Sequence, residues 1–386
     1  MKKELSSREA AEILGVSVPT LYAYVSRGML ASIPEGNARS KRYAHEEVLR
    51  LAARKADGKR AGHAVAAAMS WGVPVLESRI SQIAGGRLIY RGHDSAALAT
   101  HATLEQTAAL LWGVSSADPD AGAGRLPAVP RLPPAVTGLA PALAMPPLER
   151  AMALLPLLAR MPAGVTQESR PAQLMRMLAS LLLDVKITDA PLHVQLARAW
   201  GLQGEAQELL RAALVLMADH ELNASAFTVR CVASTGAALP AALCAGLAAL
   251  SGREHGGHYL IAKELIEAEL ASPGSQPLLA MQPGFGHPLY PDGDPRATLL
   301  LRMMAPLPGA AGVLALAARA AATKGAEPNS DFALAALELV LHLPPHAGAV
   351  LFALARSAGW LAHAAEQAAD SQMIRPRARY VGDYTA

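Results

Sequence analysis

Long runs rich in alanine and leucine fill most of this chain, and proline-rich connections such as RLPAVPRLPPAV interrupt them. Hydrophobic residues make up 52% of the 386 residues but aromatic residues only 4%, so alanine supplies much of the apolar content. Because alanine has the highest helix propensity and a small side chain, such runs favour closely packed helices. The pattern predicts a mainly α protein that is long enough for a sizeable core and for more than one domain.

The basic residues are concentrated at the start of the chain. Residues 1–63 hold 12 of the 35 Lys and Arg and 7 of the 32 Asp and Glu, a net charge of +5. The rest of the chain has 23 basic against 25 acidic residues, a net charge of −2. We therefore expect the first segment alone to meet a polyanion. The polar stretch ADGKRAGH, residues 56–63, is predicted to link it to the remainder.

Two short helices separated by a glycine are predicted in this basic segment. Ser6 and Glu9 fit a capping box at the start of the first helix, and Gly15 is placed to end it. Pro19 opens the second helix, TLYAYVSR, and Gly28 is placed to end it. Further on, SKRYAHEEVLRLAARK reads as a basic strand followed by a third helix. Two short helices joined by a tight turn form a helix-turn-helix.

The stretches SSREAAEILGVSVPTLYAYVSRGML and KRYAHEEV resemble the winged helix-turn-helix of MerR and excisionase proteins. The resemblance implies a small domain over residues 1–62 that contacts duplex DNA through its second helix and its wing. The residues implied are Val18, Thr20, Leu21 and Tyr22 on the helix and Arg39, Lys41 and Arg42 on the wing. A basic appendage that contacts another protein is the alternative, because no array of base-reading Arg or Asn side chains is present.

No segment has the pattern of a membrane span or of a secretion signal. The most apolar stretch, AVLFALARSAGWLAHAA, is interrupted by Arg356 and His363. The N-terminal residues MKKELSSREAAE lack the apolar core of a signal peptide. We therefore expect a cytoplasmic protein that has no membrane partner.

Chemistry is indicated where His or Asp side chains stand beside residues that break helices. These residues are His255 in SGREHGGHYLIAKELI, His287 in PGFGHPLYPDGDPRA and Asp331 in KGAEPNSDFALAALEL. Because the positive end of a helix dipole disfavours a charged imidazole, we expect His255 to be neutral and to donate a hydrogen bond to an oxygen that gains negative charge. Together with nearby arginines, the three residues favour proton abstraction from carbon in an anionic substrate.

Simpler interpretations of the same residues remain open. Asp331 is also typical of a helix N-cap. His255 and His258 are spaced like a metal-binding pair, although no third ligand of suitable spacing stands near them. A single loop histidine such as His287, taken alone, is more often structural than catalytic.

Several stretches resemble successive blocks of the citrate synthase family, in the order of that family. They are IYRGHDSAALATHATLEQTAALLWG, ADHELNASAFTVRCVAST, REHGGH, PGFGHPLYPDGDPRA, SDFALAAL, and LFALARSAGWLAHAAEQ followed by IRPRARYVG. The resemblance covers most of residues 72–386 and implies a citrate synthase-like domain over 63–386. Within it, the resemblance implies a large helical subdomain over 72–255 and 350–386 and a small one over about 256–349.

The resemblance also implies an activity, the condensation of acetyl-CoA with oxaloacetate to give citrate and CoA. The enzyme would be an acyltransferase that converts the acyl group into an alkyl group. Asp331 would take a proton from the thioester methyl group, His255 would hydrogen-bond the enolate oxygen, and His287 would polarise the ketone. The residues implied for the substrate carboxylates are His220, Arg296, Arg356 and Arg375. The resemblance implies no metal and no permanently bound cofactor.

In the family, the arginine at the position of Arg375 reaches the neighbouring subunit's site, so the resemblance implies a homodimer. Pro288 stands where the family has an arginine that holds CoA, so no CoA-binding residue is assigned. Two other functions remain open. One is a 2-methylcitrate synthase that uses propionyl-CoA, since one methyl group is worth only about 1–3 kcal/mol in a pocket. The other is a DNA-binding regulator whose citrate-synthase-like body senses oxaloacetate or an acyl-CoA.

Overall fold

The computed structural model describes residues 4–26, 29–34, 41–52, 76–114, 145–159, 170–186, 188–275, 282–323, 325–370, 372–378, 380 and 382. The chain divides into two compact units, Met1–Glu77 and Ser78–Ala386, and each unit has a hydrophobic core of its own. The predicted linker, residues 56–63, lies outside the described residues.

The first unit combines short helices with a three-stranded antiparallel sheet. Its elements are β1 Glu4–Ser6, α1 Ser7–Leu14, α2 Val18–Ser26, β2 Ile33–Pro34, β3 Lys41–Ala44 and a helix, α3, over residues 45–52. Strand β3 lies in the centre of the sheet, with Leu5 of β1 opposite Tyr43 and Ile33 of β2 opposite Arg42. Two helices joined by a tight turn and followed by a short strand pair confirm the predicted winged helix-turn-helix.

The ends of α1 follow the predicted capping chemistry. The hydroxyl of Ser6 accepts a hydrogen bond from the backbone N–H of Glu9 at 3.4 Å, and the Glu9 carboxylate accepts one from the N–H of Ser6 at 2.8 Å. Gly15 ends the helix with a φ of +60°, in the left-handed region that glycine enters at no steric cost. Gly28, the predicted end of α2, lies outside the described residues.

The structure corrects one residue that the resemblance assigned to DNA contact. Leu21 is 0% exposed and belongs to the core of the first unit, so its side chain packs the helices together and does not reach DNA. Val18 and Thr20 are half-buried, and the hydroxyl of Thr20 lies 2.8 Å from that of Ser17. A helix packed against a core cannot expose every side chain, and the apolar residue three positions after Val18 faces inward.

The exposed part of this face combines an aromatic ring with a cation of the wing. Tyr22 is 45% exposed, and the Nζ atom of Lys41 lies 5.9 Å from the centre of its ring. Arg42 is half-buried, and Arg39 lies outside the described residues. Helix α2 and strand β3 therefore contribute to one surface at Tyr22 and Lys41.

The second unit begins with an antiparallel hairpin. Strand β4, Ser81–Ala84, pairs antiparallel with β5, Arg87–Tyr90, and a short third strand, β6, follows at His93–Asp94. The connecting residues Gly85 and Gly86 have φ angles of +57° and +71°. Glycine adopts these positive φ angles without strain, which explains the Gly-Gly pair in the sequence.

Helices make up most of the remaining described residues of the second unit, as predicted. They are α4 Ser95–Leu98, α5 Leu104–Trp112, α6 Pro147–Leu154, α7 Arg170–Leu183, α8 Leu192–Ala199, α9 Glu205–Leu216, α10 Ala224–Ala233, α11 Leu239–Leu250, α12 His258–Ala271, α13 Pro295–Met304, α14 Ala310–Ala321, α15 Ser330–Val340 and α16 Ala347–Ala369, with a 3₁₀ segment at Leu155–Ala159. The division of this unit into a large and a small subdomain stays a prediction.

Helix α16 runs through the middle of this unit. Most of its 23 residues are buried, and it packs against α5, α7, α9, α10, α11 and α15. Its small side chains permit close approach, and the N–H of Gly359 donates to the carbonyl oxygen of Ala218 at 3.1 Å. Among the described helices, α16 included, none combines the length and the apolar character needed to cross a membrane.

We predict that Gly359→Ala destabilises the protein although alanine favours helices. A Cβ at this position meets a carboxylate oxygen of Asp219 and lies 2.6 Å from the carbonyl oxygen of Ala218, neither of which can move freely. Overpacking of this kind costs about 1–3 kcal/mol, which exceeds the helix-propensity gain of about 1 kcal/mol. Thermal unfolding should therefore shift to lower temperature.

Gly312→Ala provides the matched control in another helix. The Cβ there lies 2.7 Å from a methyl carbon of Leu270, an exposed side chain that can rotate away. We expect this variant to unfold at the wild-type temperature or slightly above. Equal midpoints for the two variants would contradict the close packing of α16 against Ala218.

Candidate active site

The loop that carries His287 is fixed by hydrogen bonds to the segment before α15. The N–H of Gly286 donates to the carbonyl oxygen of Glu327 at 2.7 Å, and the N–H of Asn329 donates to that of Gly284 at 3.0 Å. The side-chain amide of Asn329 donates to the carbonyl oxygen of Gly286 at 3.0 Å. His287 is half-buried. A stretch of glycines and prolines thus holds one histidine in a defined place beside α15.

A backbone contact determines which ring nitrogen of His287 carries the proton. The Nδ1 atom accepts a hydrogen bond from the N–H of Leu289 at 3.1 Å. Burial and then the charge of Arg296 lower the pKa of His287 to about 4, while the charge of Asp294 opposes them. The neutral ring therefore carries its proton on Nε2, and that nitrogen is a hydrogen-bond donor at neutral pH.

His220 stands beside His287 on the turn that follows α9. The two ring centres are 5.1 Å apart, and Nε2 of His220 lies 3.0 Å from the hydroxyl of Tyr290. The hydroxyl of Tyr90 holds this turn, because it contacts the carbonyl oxygens of Leu216 at 3.0 Å and of Asp219 at 3.2 Å. Burial, followed by the charge of Arg296, keeps the pKa of His220 well below its usual range, so His220 is also neutral.

Arg296 is a buried cation that is paired with the carboxylate of Asp294, two residues before it. Its Nε and Nη2 atoms lie 2.9 Å and 2.7 Å from the two carboxylate oxygens of Asp294. Asp294 also caps α13 and accepts from the N–H of Ser330 at 3.0 Å, so it joins the starts of α13 and α15. The guanidinium of Arg296 lies 5.4 Å from the ring centre of Tyr290. Two helix starts and one arginine are thereby held by a single carboxylate.

Arg356 is buried without such a partner. It is 1% exposed, and its Nε donates to the carbonyl oxygen of Met217 at 2.9 Å. No carboxylate of the described residues lies within ion-pair distance of its guanidinium. Burial lowers the pKa of Arg356 to about 10, so the group is still charged at neutral pH. A buried cation that lacks a counter-ion is a site for an anionic ligand.

His255 is connected to this group through the ring of Phe352. That ring centre lies 4.7 Å from the guanidinium carbon of Arg356 and 5.8 Å from the ring centre of His255. The Nε2 atom of His255 lies 2.9 Å from the hydroxyl of Ser225, which also accepts from the indole N–H of Trp360 at 3.1 Å. Burial, then Arg356, lowers the pKa of His255 to about 4. The expectation of a neutral imidazole agrees with this direction.

Asp331 occupies the first turn of α15. The N-cap of that helix is Asn329, whose side chain accepts from the N–H groups of Asp331 and Phe332, so the simple N-cap interpretation of Asp331 is wrong. Burial raises the pKa of Asp331 to about 6, although the charge of His258 opposes this. A carboxyl group with this pKa is suited to take up and release a proton near neutral pH.

The structure brings together six of the seven residues assigned to the active site by resemblance, within mutual electrostatic range: His220, His255, His287, Arg296, Asp331 and Arg356. Arg375 is not among them. It is exposed in the segment after α16, where the N–H of Ile374 donates to the hydroxyl of Ser234 at 3.1 Å. Within the described ranges, no group of three His, Cys, Asp or Glu side chains is placed to hold a metal ion.

The sequence alone did not assign Tyr290, Asp294, Ser225 or Phe352 to the site. All four lie inside stretches that carry the family resemblance, at positions whose partners come from distant parts of the chain. Tyr290 contacts a histidine 70 residues earlier, and Asp294 contacts a backbone N–H 36 residues later. Their only signal in the sequence was their position near candidate residues: Tyr290 and Asp294 follow His287 in its loop, and Ser225 and Phe352 stand on helices close to His220 and Arg356 in the chain.

These features are suited to acid–base chemistry on an anionic ligand in a mainly helical unit, and comparisons with known proteins identify the family. Residues 68–377 match the family described as Citrate synthase, C-terminal domain, and residues 4–56 match one described as Helix-turn-helix domain. A citrate synthase of Haloferax volcanii is 31% identical over 359 residues, which cover 81% of this chain and 94% of that protein. The chain belongs to the citrate synthase family and carries a helix-turn-helix domain at its N-terminus.

Two further relatives show the range of the family. A 2-methylcitrate synthase of Shewanella oneidensis is 31% identical over 189 residues, which cover 45% of this chain and only half of that protein, 50%. The citrate synthase of the thermophilic archaeon Thermoplasma acidophilum, in ternary complex with carboxymethyl coenzyme A and oxaloacetate, has a TM-score of 0.68 at 23% identity. That match covers 81% of this chain and 95% of that one. The similarity to the Thermoplasma acidophilum structure shows that the two chains share a fold.

The raised pKa of Asp331 predicts a pH-dependent difference between the wild type and Asp331→Asn. Because the folded-state pKa of about 6 lies above the ordinary aspartate value of 3.8, the group's contribution to stability is complete below pH 4 and is lost as the pH rises through 6. Asn cannot ionise. The variant should therefore match the wild type near pH 4 and be more stable at pH 7.5 by on the order of 1 kcal/mol, measured by urea unfolding.

Asp292→Asn serves as the control, because Asp292 is an exposed carboxylate of the same loop region as His287. Its unfolding free energy should follow that of the wild type at both pH values. A difference between Asp331→Asn and the wild type that stays constant from pH 4 to pH 7.5 would contradict the assigned burial of the carboxylate.

Proposed function

We propose that this protein condenses oxaloacetate with acetyl-CoA to give citrate and CoA. The observation that carries the proposal is Arg356, a buried guanidinium that has no ion-pair partner in the described part of the chain and stands in a group of neutral histidines beside Arg296. A small dianion supplies the missing negative charge. Oxaloacetate has two carboxylates for the two arginines and a ketone for a neutral hydrogen-bond donor.

The substrate carboxylates are proposed to bind the arginine forks. Arg356 uses its Nε atom for Met217, which leaves its two Nη groups for a bidentate contact. Arg296 is already paired with Asp294, so it contributes a weaker, shared positive charge. His287, with its proton on Nε2, donates to the ketone oxygen and polarises the carbon that is attacked.

The carbon–carbon bond is proposed to form through an enolate of the thioester. The ionised carboxylate of Asp331 takes a proton from the methyl group of acetyl-CoA, and His255 hydrogen-bonds the enolate oxygen. The enolate carbon then attacks the ketone carbon, while the Nε2 proton of His287 passes to the new alkoxide. Water finally cleaves the citryl thioester and releases citrate and CoA.

The role of His255 places a requirement on Ser225. Because Nε2 of His255 is engaged by the Ser225 hydroxyl, the nitrogen left for the enolate oxygen is Nδ1. In the structure the Ser225 hydroxyl donates its proton to the side-chain oxygen of Asn223 at 2.7 Å. Donation from Nδ1 of His255 therefore requires that this hydroxyl turns and gives its proton to Nε2 in the reactive state. Trp360 holds the hydroxyl in place from the other side.

Propionyl-CoA is the second candidate substrate within this chemistry. A relative of similar identity is a 2-methylcitrate synthase, and one methyl group changes binding by only about 1–3 kcal/mol. The decisive experiment measures release of the free CoA thiol by the purified protein with oxaloacetate, separately with acetyl-CoA and propionyl-CoA. Turnover with either supports the condensation, and the ratio of the two kcat/KM values identifies the substrate. No thiol release with either one overturns the proposal.

We predict that Asp331→Asn lowers thiol release by at least about 10²-fold, because a general base contributes roughly 10²–10⁴-fold. Its affinity for oxaloacetate, measured by calorimetry, should stay nearly unchanged, because the base acts on the other substrate. Asp292→Asn should turn over at the wild-type rate. Near-normal turnover by Asp331→Asn would remove Asp331 from the role of base.

A homodimer and closure of the small subdomain complete the proposal. Arg375 does not reach the site within one chain, and in the family the matching arginine comes from the neighbouring subunit. We propose that a second copy supplies it. Closure of residues 256–349 over 72–255 and 350–386 would exclude water while the enolate forms.

Complementation tests this arrangement. Arg375→Ala and Asp331→Asn should each be inactive alone, but a mixed dimer has one site with both an intact base and an intact arginine. Random assembly of the two variants should restore about a quarter of the wild-type activity, since half of the dimers are mixed and each has one working site. An inactive mixture in which purification on two different affinity tags, one on each variant, shows mixed dimers would contradict a shared site.

A second function, DNA binding, is favoured by the surface of the first unit. Tyr22 and Lys41 lie side by side there, and the segment carries the basic excess of the chain. We propose duplex DNA as the partner, through phosphate contacts more than base reading, because helix α2 has no charged side chain in VPTLYAYVS. A band shift that weakens steeply with salt supports this role. No shift at low salt would favour the protein-contact alternative.

A further inference from the structure

Tyr290 is the point at which three residues of the site meet. Its hydroxyl lies 3.0 Å from Nε2 of His220, and its ring centre lies 5.0 Å from that of His287 and 5.4 Å from the guanidinium carbon of Arg296. The side chain is 2% exposed. Neither the family resemblance nor the proposed chemistry assigns a role to this residue.

The direction of the hydrogen bond follows from the number of available acceptors. A phenol has one proton, and a buried phenol that fails to donate it loses a hydrogen bond worth about 0.5–1.5 kcal/mol. Among the described residues, Nε2 of His220 is the acceptor within reach of the Tyr290 hydroxyl. The phenol therefore donates to Nε2. The neutral ring of His220 then carries its own proton on Nδ1.

The opposite arrangement leaves a proton without an acceptor. If His220 carried its proton on Nε2, it would donate to the phenol oxygen, and the phenol proton would point at no acceptor of the described residues. Burial raises the pKa of the Tyr290 hydroxyl, so the phenol is not ionised at neutral pH and its proton must be accommodated. Among the described residues, Nδ1 of His220 has no hydrogen-bond partner, so an N–H there is available to a ligand.

We propose that Tyr290 is a positioning residue that holds His220 in the Nδ1–H tautomer, so that His220 donates a hydrogen bond to an oxygen of the bound oxo-dicarboxylate. The identity of that ligand rests on the proposed function. The tautomer itself does not, because it is a property of the unliganded protein. Together with the Nε2–H tautomer of His287, this gives the site two neutral donors whose protons are fixed by protein contacts.

Tyr290→Phe separates the hydroxyl from the ring. Phenylalanine retains the ring contacts with His220, His287 and Arg296, and it removes only the proton donated to Nε2. In histidine-labelled protein, nitrogen NMR distinguishes the two tautomers, and a His220→Gln spectrum assigns the signal. We expect Nδ1–H in the wild type and a loss of that pattern, toward Nε2–H, in Tyr290→Phe.

Oxaloacetate binding gives the second measurement. Because the variant loses a preformed donor to a charged ligand, its Kd for oxaloacetate by calorimetry should rise about tenfold. The KM for the acyl-CoA should change by less than about twofold, since Tyr290 contacts groups assigned to the other substrate. Tyr259→Phe is the matched control. It removes another buried phenolic hydroxyl of the same unit, one that lies beside Glu338 and the backbone of Ala349 and not beside the groups assigned to either substrate, and it should change neither quantity.

Two results would overturn the proposal. One is an Nε2–H signal for His220 in the wild type. The other is an unchanged tautomer together with an unchanged oxaloacetate Kd in Tyr290→Phe. A protein that releases no CoA but shows the Nδ1–H tautomer and its loss in Tyr290→Phe would contradict the proposed function and retain the positioning role. The two claims therefore fail separately.

Discussion

Arg296 and Arg356 are buried at the candidate site, and of these two only Arg296 has a carboxylate of the described residues within ion-pair distance. Arg296 pairs with Asp294, while Arg356 donates one N–H to a backbone carbonyl and has no ion-pair partner among the described residues. Leaving a charge buried and unpaired costs several kcal/mol unless something else neutralises it. The surrounding residues fit a ligand that does so: three histidines are neutral because burial and these two cations lower their pKa values. The same positive field favours ionisation of Asp331 against the opposing effect of burial.

The position of these groups depends on the close packing that the alanine-rich helices permit. Helix α16 carries both Arg356 and Phe352, and its Gly359 touches the backbone just before the turn of His220. A single larger side chain at that contact displaces the turn, because the neighbouring atoms are backbone and a buried carboxylate. Asp294 has a comparable function on the other side, since it ties the starts of α13 and α15, and with them Arg296 and Asp331, to one carboxylate.

The class of fold and the helix-turn-helix followed from local signals. Capping residues and alanine-rich runs act over a few positions, so the caps of α1 were predicted correctly. The error at Leu21 arose because a motif marks a helix but not which of its faces points inward. Asp331 was ambiguous for the same reason, until the structure showed Asn329 in the capping position.

What the sequence could not provide is contact between distant residues. Tyr290 against His220 and Phe352 between Arg356 and His255 depend on the packing of whole helices, and no spacing rule reports them. The tautomers of the histidines could not be predicted from the sequence either, because each depends on the partner that a ring nitrogen contacts. The family resemblance indicated the acid–base residues, and the packing determines the protonation state and the tautomer of each one.

The most direct test of this account is a crystal structure of the protein with oxaloacetate bound. The account predicts one substrate carboxylate on the free Nη groups of Arg356 and the ketone oxygen within hydrogen-bond distance of Nε2 of His287. Oxaloacetate bound elsewhere, or a protein carboxylate paired with Arg356 in the filled site, would contradict it.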